Sequence, residues 1–268
     1  MQYKPKVGLA LGSGCSRGMA HIGVIEVLEN HGIEIDMVAG ASIGAVVGAM
    51  YCAGEDLKLF TRLAERMPVK SILDWAFSKN GLIQGNKLKQ LLNLLLKTRN
   101  FSDLKIPLTV VSTDLIKCQR VILKEGNIAE ALRASVSIPG VFAPHKYKNM
   151  LLVDGGVVER VPVKVLKEMG ADIIIASDVG FNGGEFSVNS FFDVIIRSLG
   201  IMEKELNGSA ILQADFVIKP EVEDINPATF ENSGECVERG RIAAEKAADE
   251  ILRVIAERRR KSDIAYGG

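Results

Sequence analysis

The chain has 268 residues, of which 47% are hydrophobic and 25% charged, and its 33 Lys+Arg balance 33 Asp+Glu to leave no net charge. That length suffices for one large α/β unit with a sheet covered on both faces, and the charge balance excludes a nucleic-acid groove fed by a strongly basic surface. Cys15, Cys52, Cys118 and Cys236 lie far apart with no C-x-x-C pair, which argues against a zinc site or a disulfide framework and for reduced thiols in the cytoplasm.

No signal peptide is expected, because a strand-like run, Val7 to Leu11, starts directly behind Lys4 and Lys6. A Gly-rich turn then leads into a helix over Met19 to Asn30 that Gly32 stops. Strand Ile35 to Ala39 turns sharply at Gly40-Ala41-Ser42 into a helix over Ile43 to Ala53. The uncharged stretch Met37 to Gly54, with its Gly40, Gly44 and Gly48 ladder, imitates a membrane helix. It combines a strand with a helix, however, so its glycines are expected to let a buried helix lie close to a sheet.

Helices are expected over Asp56 to Arg66 and Lys87 to Lys97, strands over Leu108 to Thr113 and Arg120 to Leu123, and a helix over Ile128 to Ala134. Strand Leu151 to Val153, helix Val163 to Met169 and strand Asp172 to Ser177 follow. After a looser piece, Gly180 to Ser187, come helix Phe191 to Leu206, strand Phe216 to Lys219 and a closing helix from about 235 to 260. Strands alternating with helices predict a three-layer α/β/α sandwich with a largely parallel central sheet, forming one domain over residues 1–268.

Gly40-Ala41-Ser42-Ile43-Gly44 fits G-x-S-x-G and stands between an apolar strand and a helix, where a strained turn would project a nucleophilic hydroxyl beyond the sheet. A base must accompany it. His21, His31 and His145 are the only histidines and none follows Asp154, so the usual order of a Ser-Asp-His triad is absent. His21 and His31 are expected to face solvent or cap a helix, and His145 to lie in a loop as the remaining candidate for a Ser-His pair. Asp154-Gly155-Gly156 directly follows an apolar strand, which places a carboxylate where open α/β sheets build their sites. Asp178 and Asp114 are its substitutes.

The turn Gly12-Ser13-Gly14-Cys15-Ser16-Arg17-Gly18 suits a phosphate or an oxyanion. A dinucleotide site is disfavoured, since Arg17 takes the third glycine position and Asp36 lies at the wrong end of the second strand for a ribose.

Together, Arg17-Gly18, Gly40-Ala41-Ser42-Ile43-Gly44 and Asp154-Gly155-Gly156 fall in an order that resembles the patatin-like phospholipase family. The similarity extends through Ser137-Ile138-Pro139-Gly140-Val141-Phe142 and Glu168-Met169-Gly170-Ala171-Asp172. One departure is that Ser13-Gly14-Cys15 replaces consecutive glycines, which could narrow the loop. The resemblance implies that Ser42 carries the acyl group and Asp154 serves as base. It also implies that Ser13, Gly14, Cys15 and Arg17 form the oxyanion hole, that Gly40 and Gly44 shape the elbow, and that Gly155 and Gly156 make the turn after the acid. No metal or cofactor is implied, and phospholipids, lysophospholipids or related lipid esters are the implied substrates. A catalytically idle lipid- or protein-binding module is the alternative.

An apolar stripe of Phe191, Val194, Ile195, Leu199 and Met202 suggests a mobile wall for a fatty chain, against an ordinary packed helix. Arg258-Arg259-Arg260-Lys261 would attract anionic headgroups or complement a helix end. The expected partners are a lipid ester and the inner membrane surface, not nucleic acid; self-association is left open.

Overall fold

The computed structural model describes residues 4–78, 81–180, 188 and 191–266. Strand β1 (Val7–Leu11) passes through a 3-10 turn (Cys15–Met19) into α1 (Ala20–Asn30), and β2 (Met37–Ala41) leads at once into α2 (Ile43–Ala53). Next come α3 (Leu57–Arg66), the short α4 (Val69–Ile72), the antiparallel pair β3 (Trp75–Ser78) and β4 (Gly81–Ile83), and α5 (Asn86–Leu95). They are followed by β5 (Leu108–Asp114), β6 (Gln119–Leu123), α6 (Ile128–Ser135), β7 (His145–Tyr147), β8 (Met150–Asp154) and α7 (Val163–Glu168). β9 (Ile173–Ser177), α8 (Phe191–Ile211), β10 (Phe216–Ile218) and α9 (Ser233–Tyr266) complete the described chain.

Eight strands form the main sheet in the order β10-β9-β1-β2-β5-β8-β7, with β6 also on β5. The run from β10 to β5 is parallel, whereas β6, β8 and β7 add antiparallel pairs. The sheet is therefore mixed, with the expected parallel part at its centre. Alternate strand residues are buried on opposite faces. Leu9, Leu11, Val38 and Ile175 join the core beneath α1, α2 and α9, while Ala10, Ala39, Ala41 and Ala176 join the core beneath α7. Small side chains on the second face let the short α7 lie close.

Helix and strand positions agree with the sequence reading within a few residues. The second strand begins at Met37 rather than Ile35, and Asp36 just ahead of it ties down the start of the neighbouring strand, its carboxylate accepting the Val7 amide at 2.7 Å. Periodicity missed α4, the β3–β4 pair and β7, all too short to show a pattern. His145 accordingly lies on a strand rather than in a loop. Gly180 is described, but residues 181–187 of the expected looser piece lie outside the described residues. Among the described residues no helix is long and apolar enough to cross a membrane, including the glycine-laddered α2.

α9 closes the molecule against α1. A Cβ on Gly23 would lie 1.9 Å from the Val237 carbonyl oxygen, and one on Gly240 would lie 2.0 Å from that of Ala20, so the two backbones touch at both glycines. Arg241 Nε donates to Glu26 beside this crossing at 2.7 Å. At the far end of α9, Arg258 pairs with Asp215 and leaves Arg259 and Arg260 exposed. Gly23→Ala gains about 1 kcal/mol in helix propensity, yet it is expected to lower unfolding free energy by about 1–3 kcal/mol through overpacking, which urea denaturation measures.

Candidate active site

The registers of β5 determine what meets at its centre. Val110 and Val111 pair with β2 and β6 at once, while Ser112 to Asp114 pair with β6 and β8. Since a strand has two edges, β2 and β8 must share the edge opposite β6, and they meet there head-on. Ala41 stands opposite Val111 and Asp154 opposite Ser112. The first residue beyond β2 is Ser42.

Ser42 Oγ donates to Asp154 Oδ2 at 2.6 Å, and both residues are buried. The Ser42 backbone adopts φ 54, ψ −126, a conformation that costs a non-glycine residue of order 1–3 kcal/mol. Two contacts help to hold it: the Ser42 amide donates to Ser135 Oγ at 2.8 Å, and that hydroxyl donates to the Val111 carbonyl at 2.6 Å. Ser135 carries no sequence motif and was not anticipated. Gly44 allows α2 to start against β1, because a Cβ there would lie 2.2 Å from the Leu11 carbonyl oxygen.

Asp154 is fixed from several sides. Its Oδ1 accepts the Gly156 amide at 2.8 Å, its own amide donates to the Ser137 carbonyl at 3.0 Å, and Thr113 Oγ1 donates to its carbonyl at 2.8 Å. Burial pushes its carboxyl up to about 6, against the hydrogen bonds from Ser42 and Gly156. Its basicity therefore exceeds that of an ordinary aspartate, which makes the group a better proton acceptor.

The loop after β1 reaches the same place. The Gly12 amide donates to Ser177 O at 3.1 Å and the Ser13 amide to Arg160 O at 2.9 Å. Ser13 therefore does not offer the backbone donor expected of it. The amides of Gly14 and Cys15 have no acceptor among the described residues. Cys15 holds φ 51 in the left-handed region, and burial first, then the Asp154 and Glu203 carboxylates, push its thiol up to about 12, so it stays protonated. Arg17 donates to the carbonyls of Ile225, at 2.8 Å, and Glu223, which ties the loop to the segment before α9.

His21 does not face solvent or cap a helix. It is fully buried, with Nε2 2.8 Å from the Gly12 carbonyl and Nδ1 2.7 Å from Ser177 Oγ. The carbonyl needs a donor, so Nε2 carries the proton and Nδ1 accepts from the serine. Burial lowers its pKa to about 4. His31 lies 2.9 Å from Glu245, and His145 Nε2 lies 2.7 Å from Glu130, which occupies the one histidine considered for a Ser-His pair. Asp178 is bound by Arg160, and Asp114 accepts the amides of Ile116 and Lys117, so neither substitute base contacts Ser42.

Two cavities open at Ser42. One, of about 70 Å³, collects the charged groups Arg17, Asp154, Arg197 and Glu203 within a lining that is otherwise largely apolar. The other, of about 390 Å³, is almost wholly apolar and runs beneath α3 and α5, past Val46, Phe60, Leu63, Leu88, Leu92 and Phe142. The large apolar cavity thus lies against α3 and α5, whereas α8 borders the smaller one. Along the α8 stripe, Phe191, Val194 and Met202 are exposed, Ile195 packs against the cluster of Ile83, Val141 and Phe142, and Leu199 lines the smaller cavity. The side chain of Phe192 lies outside the described residues.

Residues 9–167 match the patatin-like phospholipase family. The chain belongs to that family. An uncharacterized NTE family protein of Mycobacterium tuberculosis is 40% identical over 184 residues, covering 68% of this chain and 50% of the relative. The neuropathy target esterase of Drosophila melanogaster is 32% identical over 65% of this chain and 13% of its own length. A lysophospholipase of Debaryomyces hansenii is 33% identical over 65% of this chain and 12% of its own. The patatin-like chain thus spans half or less of these relatives. The crystal structure of VipD from Legionella pneumophila superposes with a TM-score of 0.66 at 14% identity, covering 92% of this chain and 67% of that one, a likeness of fold alone.

His21 gives the patatin-like chain a measurable acid sensitivity. Unfolded, it titrates near 6.5, and folded near 4, so the unfolded state binds the extra proton between those values and stability falls as pH drops through them. The difference is worth roughly 3 kcal/mol. Asp154 acts in the opposite sense between 3.8 and about 6, since the folded state retains its proton. His21→Gln removes only the first effect, so its stability deficit relative to wild type is expected to narrow from pH 7 to pH 4.5 in urea titrations.

Proposed function

We propose that the chain is a serine-dependent lipid acyl hydrolase in which Ser42 is the nucleophile, Asp154 its base and the amides of Gly14 and Cys15 the oxyanion donors. The observation that carries this reading is the 2.6 Å contact between Ser42 Oγ and Asp154 Oδ2, where a small cavity holding charged side chains meets a large apolar one. The family match and the relatives named as esterase and lysophospholipase support it.

In this mechanism Asp154 takes the hydroxyl proton as Ser42 Oγ bonds to the acyl carbon, and the negative oxygen forms against the two amides. Both residues line the cavity and neither amide has an acceptor among the described residues, so they are available as donors without first breaking a hydrogen bond, a condition for such stabilisation. Collapse expels the alcohol, which leaves with the proton from Asp154. The carboxylate then takes a proton from water as its oxygen attacks the acyl group, and returns it to Ser42 as the fatty acid departs.

The apolar cavity is the acyl chamber. At 390 Å³ it falls in the range of small-molecule sites, with room for about a dozen groups the size of water at roughly 30 Å³ each. One acyl chain of a phospholipid, lysophospholipid or related ester fits that shape. Exposed Phe191, Val194, Ile201 and Met202 on α8, the helix that borders the smaller cavity, support contact with a lipid surface. We place this activity in the cytoplasm, at the inner membrane face, in one acyl hydrolase domain.

Ser42→Ala and Asp154→Ala are each expected to reduce p-nitrophenyl ester hydrolysis by roughly a thousand-fold or more, whereas His145→Ala retains most of it. Wild-type kcat/KM should fall as pH drops below about 6, where Asp154 becomes protonated. A fluorophosphonate probe should label Ser42. Unreduced hydrolysis by Asp154→Ala would overturn the dyad, and absent labelling together with absent hydrolysis would favour an idle lipid- or protein-binding module. Ala64→Trp, which fills the chamber from α3, should reduce turnover of long-chain esters roughly ten-fold more than that of short ones; equal losses would place the acyl chain elsewhere.

A further inference from the structure

A second carboxyl stands at this site, and neither a motif nor the mechanism above uses it. Glu203, on α8, lines the smaller cavity together with Ser42 and Asp154. Its Oε1 lies 2.6 Å from the point where a Cβ on Gly156 would be, Ser13 Oγ lies 2.6 Å from the same point, and Asp154 Oδ1 lies 3.1 Å from it. Three oxygens from three segments therefore converge over the face of Gly156. The Ser13 hydroxyl is buried there with no hydrogen-bond partner among the described residues.

We propose that Glu203 is a positioning residue of the acyl hydrolase site, which in its neutral form lets α8 close over Asp154 and the oxyanion loop, and which slows the reaction when it ionises. Two carboxyls so close cannot both be charged cheaply. Asp154 must be the ionised member to act as base, so Glu203 must hold its proton. A charge on Glu203 would raise the cost of the negative oxygen forming at Gly14 and Cys15, and would repel α8 from Asp154.

The groups facing Glu203 favour this division. Burial, then the Asp154 carboxylate, and lastly Asp178, push it up to about 8, with the Arg160 guanidinium opposing them. Arg160 is itself spent on Asp178. From the loop after β1, the Cys15 thiol stays protonated and Arg17 is turned to carbonyls of the segment before α9. Arg197, on α8 itself, completes the charged lining. Asp154 near 6 and Glu203 near 8 therefore bound a window in which one carboxyl is charged and the other neutral.

The proposal rests on the hydrolase reading, and two measurements separate their failures. Wild-type kcat/KM for a p-nitrophenyl ester should fall about ten-fold from pH 7 to pH 9, through kcat, as one group ionises. The Glu203→Gln protein, which cannot ionise there, should show no such fall in its own ratio between those pH values. An alkaline fall that persists in Glu203→Gln, or is missing from wild type, would overturn the proposal. The second measurement needs no activity. A carboxyl that keeps its proton when folded loses stability as pH rises from its unfolded value of 4.5 toward 8, so in urea titrations Glu203→Gln should gain on wild type across that range. A gap independent of pH would overturn the proposal even if neither protein hydrolyses the ester, a result that by itself would count against the hydrolase reading.

Discussion

The site depends on two strands sharing one edge of a third. β5 accepts β2 along its first half and β8, from the opposite direction, along its second, so the chain after Ala41 meets Asp154 head-on. In an open parallel sheet, residues at neighbouring strand ends stand side by side and face a crevice. Here the serine and the carboxylate approach along a common line and touch. The same arrangement removes Asp154 from water, which raises its basicity above that of an ordinary aspartate. The three histidines are engaged elsewhere, with Gly12 and Ser177, with Glu245 and with Glu130.

Holding the serine there has a cost, and nearby groups offset it. The positive φ at Ser42 is secured by Ser135, which is itself anchored to β5, so the elbow and the strand beneath it are tied through one hydroxyl. His21 plays a comparable part for the loop after β1. Its ring links the Gly12 carbonyl to Ser177 at the end of β9, and burial keeps it neutral for that purpose. Residues that looked like solvent-facing or incidental polar groups are thus the supports of the two turns.

The apolar side of the site explains an oddity of packing. α3 is amphipathic, yet none of its residues is fully buried, because Phe60, Leu63 and Ala64 line a cavity even where they also reach the core. The cavity across Ser42 is smaller and holds the charged side chains, so Ser42 lies between an uncharged chamber and a charge-bearing one. An ester placed there would have its chain and its polar part separated before any bond breaks.

Much of this was legible from residue order. The alternation of strands and helices indicated a layered α/β fold, three short motifs in sequence indicated the patatin-like family, and both readings were borne out. The pair named from those motifs, Ser42 and Asp154, stands in direct contact. Other features left no local trace. Ser135, His21 and Glu203 gain their surroundings from segments far away in the chain, and short elements such as β7 carry too few residues for periodicity to reveal. Ser13 looked like a backbone donor until the fold placed Arg160 O in front of it. The sequence alone determined which residue types could do chemistry and where turns would present them, because motifs and periodicity are local. Only the tertiary structure decided which amides stayed unpaired, which carboxyl lost its water and which helices enclosed empty space, because hydrogen-bond competition, desolvation and cavity shape depend on all the packed segments at once.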